Sequence, residues 1–311
     1  MYLPCGLFSF AVSFAIIFGR RSRYCGTGSV EMRELDVSKI TDAVAELYVR
    51  ANYHLGEDVR TCLADCARKS EEQLAGEVFR SIEENIRIAG EGVFPLCQDT
   101  GMVCVFLDIG QDVHLTGGDL RAAVNEGVRK GCRTGYLRHT IVEDPFRRSN
   151  TEDSTPADLY TDIVPGDHVK ITVAPKGFGS ENMSQIRMLA PGEGVNGAEK
   201  FIVQVCAEAG GKPCPPMVVG VGIGGSFSSA PKMAKQALLR PLGEHNEDPF
   251  YAEMEERLLE RINALGIGPQ GFGGDPTALA VHIIAAPTHI SGLPVAVNIN
   301  CHVCRHAEII L

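Results

Sequence analysis

The chain has 311 residues, of which 44% are hydrophobic and 22% are charged, and its formal net charge is −10. This length favours about two domains, and the composition is that of a globular protein with a sizeable core, not of a disordered one. The acidic balance argues against a nucleic-acid partner held by phosphate contacts.

Residues 1–31 form a segment unlike the rest of the chain. An apolar run, Leu7–Phe18, is followed by Arg20 and Arg21. A run of about 12 residues is too short to cross a bilayer as a helix. Its charges follow the run, whereas those of a secretory signal precede it. We interpret residues 1–31 as a non-core N-terminal extension, translated from upstream of a start at Met32. A weak membrane anchor and a targeting segment are the alternatives.

Residues 32–92 carry helical patterns and predict a helical lobe. Ser38 is a candidate N-cap. The helix after it has apolar residues at helical spacing, at Ile40, Val44, Leu47, Tyr48 and Ala51. Gly56 interrupts this pattern. Ser70 followed by Gln73 is typical of a capping box and predicts a second helix. Its apolar positions are Leu74, Val78, Ile82 and Ile86.

Residues 93–311 differ, with short apolar runs separated by glycine and proline. Five runs are predicted as strands: Met102–Ile109, Val169–Ala174, Met217–Ile223, Ala280–Ala286 and Val295–Ile299. Three segments between them are predicted as helices: Leu120–Lys130, Val195–Ala209 and Tyr251–Leu265. The polar, proline-containing segment 143–160 is predicted as a surface loop. Together these patterns predict an α/β fold, with the N-terminal helical lobe followed by a mixed α/β region.

The chain has 11 cysteines, an odd number, scattered along its length. A chain of this size does not need a disulfide framework, so thiols or metal ligands are favoured. Three cysteines lie at predicted element boundaries, in segments stiffened by proline or opened by glycine: Cys97, Cys214 and Cys301. They are far apart in the sequence, so any site they share is assembled by the fold.

Six segments carry a specific resemblance to a known family. PLCQDTG, KGFGSENMS, GGKPCPP, GVGIGGSF, PTHISGLPVAVNINC and CHVCR occur in the order seen in class I fumarases and the similar tartrate dehydratases. The resemblance runs from about Met32 to the C-terminus. It implies that Cys97, Cys214 and Cys301 hold a 4Fe–4S cluster with one iron open to substrate, and Cys304 is the rival for the third position. Three thiolates fit this chemistry, because four would saturate the cluster and make it an electron carrier.

The resemblance also implies roles for residues beside the cysteines. Gln98 and Asp99 follow the first cysteine, and they are expected to bind substrate and to relay a proton, respectively. The alternative for Asp99 is an Asx turn with Gly101. His289 precedes Cys301 by a short segment and matches the family's active-site histidine. We expect it to donate a hydrogen bond to the substrate.

Two further positions match groups that hold the substrate in the family. Arg138 matches an arginine that clamps a carboxylate, a task that suits a planar guanidinium. The alternative is an ordinary surface arginine. Gly179 in KGFGS offers a backbone N–H group to an anion. Arg305 is a weaker candidate for pairing with the cluster or with a partner chain.

Two motifs are discounted. The glycine run Gly220–Ser226 lacks the G-x-G-x-x-G spacing and a following acidic strand end, so it predicts a tight turn or a helix N-terminus that faces a carboxylate, not a nucleotide site. The segment CHVCR misses the c-type haem signature, because Arg305 stands where the histidine is required.

The resemblance implies a hydro-lyase that interconverts fumarate and (S)-malate, with L-tartrate dehydration as the alternative. Single-chain relatives continue into a second domain, whereas this chain stops at Leu311. We therefore expect a separate beta subunit and an (αβ)2 heterotetramer. We expect the chain alone to hold the cluster without activity. The expected location is the cytoplasm, without stable membrane association.

Two other classes remain open. One is a zinc-stabilised, non-catalytic interaction subunit that uses Cys301, Cys304, Cys214 and His302, although zinc sites usually have short local spacings. The other is a cluster scaffold or electron carrier, which requires a fourth cysteine ligand.

Overall fold

A computed structural model describes residues 32–70 and 73–311 of the chain. The predicted N-terminal extension lies outside these residues. The helices are α1 Val37–Tyr53, α2 Glu57–Lys69, α3 Gln73–Gly90, α4 Leu120–Thr134, α5 Phe178–Glu181, α6 Gly194–Ala209, α7 Ser229–Ala237 and α8 Pro249–Asn263. The strands are β1 Arg33–Asp36, β2 Met102–Gly110, β3 Val113–Thr116, β4 Asp158–Val164, β5 Val169–Lys176, β6 Gln185–Leu189, β7 Met217–Gly225, β8 Ala278–Thr288, β9 Leu293–Asn300 and β10 Ala307–Ile310. The α/β fold class is confirmed.

Two mixed four-stranded sheets form the framework of the described part. The first has the order β10-β5-β2-β4, and the second has the order β6-β9-β7-β8. In each sheet one neighbouring pair is parallel, β2 with β4 and β7 with β8, and the other pairs are antiparallel. The strands β1 and β3 form a small parallel pair apart from them. All five predicted strands and all three predicted helices of residues 93–311 are present, with their ends shifted by a few residues.

The first sheet is covered by α1 and α4. The apolar face of α1 is buried, with Ile40, Val44 and Tyr48 fully enclosed, and it packs in one core with the strands β2 and β5. Glycines let α4 approach α1 closely. A Cβ atom on Gly127 would lie 2.7 Å from the Thr41 carbonyl oxygen. The predicted helical stripe of α1 is therefore confirmed and faces the sheet.

The second sheet is covered on both faces. Helices α6 and α8 contribute to one core together with alternate residues of β7 and β9. Helix α7 packs on the other face. There a Cβ on Gly220 would lie 2.1 Å from the Ala234 carbonyl oxygen, and one on Gly222 would lie 2.1 Å from that of Ala230. Most of the glycine run therefore serves to let α7 lie directly on β7, a packing role that the motif did not predict.

Three details differ from the sequence predictions. The N-cap of α1 is Asp36, not Ser38, because the Asp36 carboxylate accepts a hydrogen bond from the Ser38 backbone N–H at 2.8 Å. Ser70 is the C-cap of α2, and the residues between it and Gln73 lie outside the described part. The predicted loop 143–160 ends in β4, whose side chains are only half buried at the edge of the first sheet.

One predicted position on α3 is wrong. Leu74 is 50% exposed, whereas its neighbour Ala75 is buried. The other three predicted positions are confirmed, because Ile82 is buried and Val78 and Ile86 pack half-buried on the same core. The buried face packs with α2 and with the segments that carry Cys97 and Cys301.

No helix of residues 32–70 and 73–311 is long and apolar enough to cross a membrane. The predicted division between a helical lobe and an α/β region stays a prediction. Helix α1 packs on the first sheet, whereas α2 and α3 pack around the cysteine segments.

Candidate active site

The Cys97 segment is held from both sides by helices. The backbone N–H of Leu96 donates to the Asn52 carbonyl at the end of α1 at 2.8 Å. The Asn85 side chain on α3 donates to the Leu96 carbonyl at 2.9 Å. Leu96 itself is buried. These contacts fix the backbone next to Cys97 and leave its thiol half buried.

The Cys214 segment is a tight turn between α6 and β7. Cys214 has a φ of 55°, in the left-handed region that non-glycine residues rarely adopt. Its backbone N–H donates to the Gly211 carbonyl at 3.2 Å, and the Gln270 N–H holds the Pro215 carbonyl at 2.7 Å. The turn therefore presents Cys214 as an exposed residue on a constrained backbone.

Cys301 follows directly on β9, and its segment contacts both others. The backbone N–H and the Nδ1 of His302 donate to the Cys214 carbonyl at 3.3 and 3.0 Å. The Arg305 guanidinium donates to the Asp99 carbonyl at 2.6 Å. Hydrogen bonds thus fasten the third cysteine segment to the second and to the first.

The charges of the three thiols also act on each other. Burial raises the pKa of the Cys214 thiol, and the charges of Cys301 and Cys97 raise it further. Burial raises the pKa of Cys301 most, and Arg305 and Lys176 oppose this rise. Three cysteines that are far apart in the sequence therefore lie in neighbouring segments, with the buried basic side chains of Arg305 and Lys176 beside Cys301.

Cys304, the rival for the third position, is buried and has hydrogen-bond partners of its own. It is buried with Val218 and Leu238. Its Sγ accepts from the Asn300 side chain at 3.2 Å and lies 3.5 Å from the Leu238 carbonyl. Burial raises its pKa to about 12. These contacts favour Cys301 over Cys304 as a ligand.

A single-ion metal site is not formed by these groups. Within residues 32–70 and 73–311, no three His, Cys, Asp or Glu side chains are grouped as ligands of one metal ion. This counts against the zinc alternative, which requires a closed tetrahedral site. A 4Fe–4S cluster is larger and binds each thiolate to a different iron, so it suits three thiols around a wider space.

Asp99 joins the Cys97 segment to the start of α5. Its Oδ1 accepts from the Gly101 N–H at 3.0 Å, which is the Asx turn considered as the alternative. Its Oδ2 accepts from the Phe178 N–H at 2.8 Å. Its own N–H lies 3.4 Å from the Cys97 Sγ. The carboxylate therefore has a positioning role, and its predicted proton relay stays a prediction.

Gln98, Asp99 and Arg138 line one open cavity of about 390 Å³. Side-chain hydroxyls hold the Arg138 segment there. Thr100 donates to the Arg138 carbonyl, and Thr140 donates to the Gly101 carbonyl at 3.0 Å. The structure thus brings the predicted carboxylate clamp to the residues that follow the first cysteine.

Gly179 lies on α5, between the Asp99 contact and the Cys214 turn. A Cβ on Gly179 would lie 3.7 Å from the Lys212 carbonyl oxygen, in ordinary contact distance. Close approach instead requires glycine at Gly101, where a Cβ would lie 2.6 Å from the Lys176 carbonyl carbon. The predicted anion-binding turn is therefore adjacent to both cysteine segments.

His289 is held elsewhere. It lies in the exposed turn between β8 and β9, where its Nδ1 accepts from the Ser291 N–H at 3.2 Å. Strand β9 has 8 residues and spans roughly 25 Å at about 3.3 Å per residue. Cys301 is at its opposite end. Within this chain His289 does not join the other predicted residues, and its role stays a prediction that the single chain does not support.

Arg305 and Lys176 are the functional candidates that the sequence described least well. The weak prediction for Arg305 was a pair with the cluster or a partner chain. The structure places it buried behind the Cys97 segment, where it fastens that segment. Lys176 drew no prediction of its own, although it begins the motif KGFGSENMS. It is buried with Glu181 and Ser180 as neighbours.

The fold and the three fastened cysteine segments define an α/β protein with a thiol-lined site. The family model described as "Fumarate hydratase (Fumerase)" matches residues 41–310. A putative L(+)-tartrate dehydratase subunit alpha from Methanocaldococcus jannaschii is 41% identical over 274 residues, which are 86% of this chain and 96% of that protein. The L(+)-tartrate dehydratase subunit alpha of Escherichia coli O157:H7 is 32% identical over 279 residues, 88% and 91% of the two chains. The chain belongs to the fumarate hydratase family, which confirms the resemblance seen in the sequence.

Proposed function

We propose that the chain is the alpha subunit of a two-subunit, oxygen-sensitive 4Fe–4S hydro-lyase that hydrates fumarate reversibly to (S)-malate. One observation carries the proposal. In a chain of the fumarate hydratase family, hydrogen bonds fasten three distant cysteine segments together, beside a cavity lined by Gln98, Asp99 and Arg138.

Cys97, Cys214 and Cys301 would hold the cluster. The donor set fits, because hydrogen bonds hold the three cysteine segments together and the fourth nearby thiol, Cys304, has its own hydrogen-bond partners. A cluster held in this way would supply Lewis-acid chemistry for the addition and loss of water. Buried Arg305 and Lys176 lower the pKa of the Cys301 thiol and so oppose the rise that burial causes.

The substrate-binding groups are assigned to the cavity beside the cysteines. Arg138 binds one carboxylate through paired N–H donors. Gln98 and the Gly179 amide orient the remainder of the dicarboxylate. Asp99 has lone pairs beyond the two that its backbone partners use, and a proton is held at one of its carboxylate oxygens during addition or loss of water. His289 stays a predicted donor.

A separate beta subunit completes the site. Both relatives named above are called subunit alpha, and we assign to the partner the remaining carboxylate-binding and proton-transfer groups in an (αβ)2 heterotetramer. The chain alone is then expected to hold the cluster but not to turn over substrate. We place the enzyme in the cytoplasm, because reducing conditions keep its thiols free.

L(+)-tartrate is the second candidate substrate. The specific observation in its favour is the name carried by both relatives, including the one that is 41% identical. Tartrate is a four-carbon dicarboxylate like malate with one more hydroxyl, so the same carboxylate clamp and iron suit both.

The test is to purify the chain without oxygen, alone and co-expressed with a beta-type chain. Iron, acid-labile sulfide and the visible spectrum are measured, and both samples are assayed with fumarate, (S)-malate and L(+)-tartrate. We expect one sulfide per iron in each sample. We expect activity only in the co-expressed pair. A colourless sample with bound zinc would refute the hydro-lyase proposal. Turnover by the chain alone would refute the need for a partner.

A further inference from the structure

A group of three charges, one buried and two partly buried, lies between the two sheets, next to the cysteine segments. Lys176 ends β5 and its side chain is only 4% exposed. Glu181 ends α5, and Lys235 lies on α7. The two lysines approach opposite oxygens of the same carboxylate, Lys176 at 3.3 Å from Oε2 and Lys235 at 2.9 Å from Oε1. We call Lys176, Glu181 and Lys235 the ionic clamp.

The clamp is tied into both sheets. From the second sheet, Asn298 on β9 donates to Glu181 Oε2 at 3.0 Å. From the first sheet, Asp158 on β4 accepts from Lys235 at 3.4 Å and from the Tyr160 hydroxyl at 2.7 Å. Burying such charges is costly unless their partners are well placed. The number of partners indicates that the arrangement is a fixed one.

The clamp also holds the turn 177–180, which consists of Gly177 and the first three residues of α5. The Lys176 ammonium donates to Ser180 Oγ at 2.8 Å, and Ser180 Oγ donates to the Gly177 carbonyl at 3.1 Å. The Phe178 N–H in the same turn holds Asp99, and Gly101 touches the Lys176 backbone so closely that only glycine fits. A displacement of the turn is therefore transmitted to the residues that follow Cys97.

We propose that Lys176, Glu181 and Lys235 are positioning residues, which fix the turn 177–180 against the Cys97 segment and β9 and so set the place of the Gly179 amide and the Asp99 carboxylate. This inference rests on the proposed function for its effect on turnover. Its structural part, the coupling of segments 97–101 and 177–181, stands on the contacts alone.

The main variant is Glu181→Gln, which keeps the size of the side chain and removes the charge shared by the two lysines. Its matched control is Glu255→Gln, because Glu255 is also a carboxylate shielded from solvent in an ion pair, with Arg240, but lies on α8. Lys235→Arg keeps the charge and is the conservative variant expected to behave like wild type. Lys235→Gln removes one of the two cations and serves if Glu181→Gln does not fold.

In the co-expressed holoenzyme, Glu181→Gln is expected to lower kcat/KM about tenfold to a hundredfold, as misplacement of binding groups does. Iron and sulfide content should stay as in wild type, and the substrate-induced change in the electron paramagnetic resonance spectrum of the dithionite-reduced cluster should weaken. Glu255→Gln should lose stability but keep kcat/KM within about twofold. Equal kcat/KM in Glu181→Gln and Glu255→Gln would overturn the inference.

Amide hydrogen exchange tests the coupling without any assay of activity. In Glu181→Gln, exchange should quicken by about tenfold or more in both 97–101 and 177–181, because a charge-assisted contact that closes both segments is lost. In Glu255→Gln both segments should exchange as in wild type. Faster exchange confined to 177–181 would overturn the inference even if the wild-type pair proved to have no hydro-lyase activity, an outcome that would refute the proposed function separately.

Discussion

Two carboxylates on helices, half-buried Glu181 on α5 and buried Glu255 on α8, show different uses of charge in the fold. Glu181 is shared by two lysines and contacts residues from both sheets, beside the cysteine segments. Glu255 pairs with Arg240 and accepts from the backbone N–H of Ile283 at 2.6 Å, which fastens α8 to β8. We call Arg240, Glu255 and the nearby His282 the remote cluster.

The difference teaches where changes should affect chemistry and where they should affect only stability. The ionic clamp connects many elements that meet at the thiols, so a change there alters the geometry of the site. The remote cluster joins only α8 to β8. A change there should therefore lower the free energy of unfolding and leave the site intact.

The largest expected effect is loss of the cluster and of activity on substitution of Cys301. Cys301→Ala should reduce bound iron and sulfide to background in anaerobically purified protein and abolish activity of the αβ pair, because a ligand is lost. Cys304→Ala is the matched control, three positions away, and should keep the cluster. Iron and sulfide analysis with visible spectroscopy measures both. The reverse pattern would assign the third ligand to Cys304.

Removal of the remote carboxylate should cost the most stability. Glu255→Ala leaves Arg240 as an uncompensated, largely buried charge, and we expect a loss of about 3–5 kcal/mol in the free energy of unfolding. Denaturant unfolding measures it, with Glu256→Ala as control, because Glu256 is 65% exposed in its pair with His245. A loss below about 1 kcal/mol would show that the pair is not needed for stability.

The remote cluster also predicts a pH dependence. Burial and then the charge of Arg240 lower the pKa of His282 to about 4, against a usual value of 6.5, and the Nδ1 contact with the Ala237 carbonyl opposes this. Between these values the unfolded chain binds more protons than the folded one. The contribution of His282 to the free energy of unfolding is therefore fully present above about pH 6.5. It is lost as the pH falls towards 4, and the loss is at most about 3 kcal/mol.

Urea unfolding between pH 4 and 7 checks this dependence. His282→Gln should flatten the profile in that window, because the titrating group is gone. His245→Gln, which changes an exposed histidine, should leave the slope as in wild type. Identical slopes in wild type and His282→Gln would show that another group causes the loss of stability in acid.

The smallest expected effect is at the cavity. Arg138→Lys keeps the positive charge but loses the paired donors, so KM for the dicarboxylate should rise about tenfold with little change in stability. Steady-state kinetics of the αβ pair measures it. Arg147→Lys, in the exposed loop nearby, is the control and should keep the wild-type KM. An unchanged KM in Arg138→Lys would favour the alternative, that Arg138 is an ordinary surface arginine.

Much of the fold was predictable because its patterns are local. The apolar runs gave β2, β5, β7, β8 and β9, and helical spacing gave α1, α4, α6 and α8. Helix α2 was not predicted, and other errors were at ends and edges. Asp36 caps α1 instead of Ser38, since either residue type suits a cap. The edge strand β4 has a polar sequence that resembles a loop.

The site was predictable in part for a different reason. The motifs around Cys97, Gln98, Asp99 and Arg138 were noticed by resemblance, and the structure brings these residues to one cavity or to its side. His289 was predicted by the same route, but it lies at the other end of β9. A sequence motif identifies residues, but it does not give the distances between them in the folded chain.

The sequence by itself determined the fold class, most elements and the family, because side-chain periodicity and motif spelling are written along the chain. Only the tertiary structure decided that Cys304 turns towards Leu238, that Gly220 and Gly222 admit α7, and that Lys176, Glu181 and Lys235 meet between the sheets. The physical reason is that these contacts join residues remote in sequence, and their free energy depends on distances and burial that exist only after both sheets have packed.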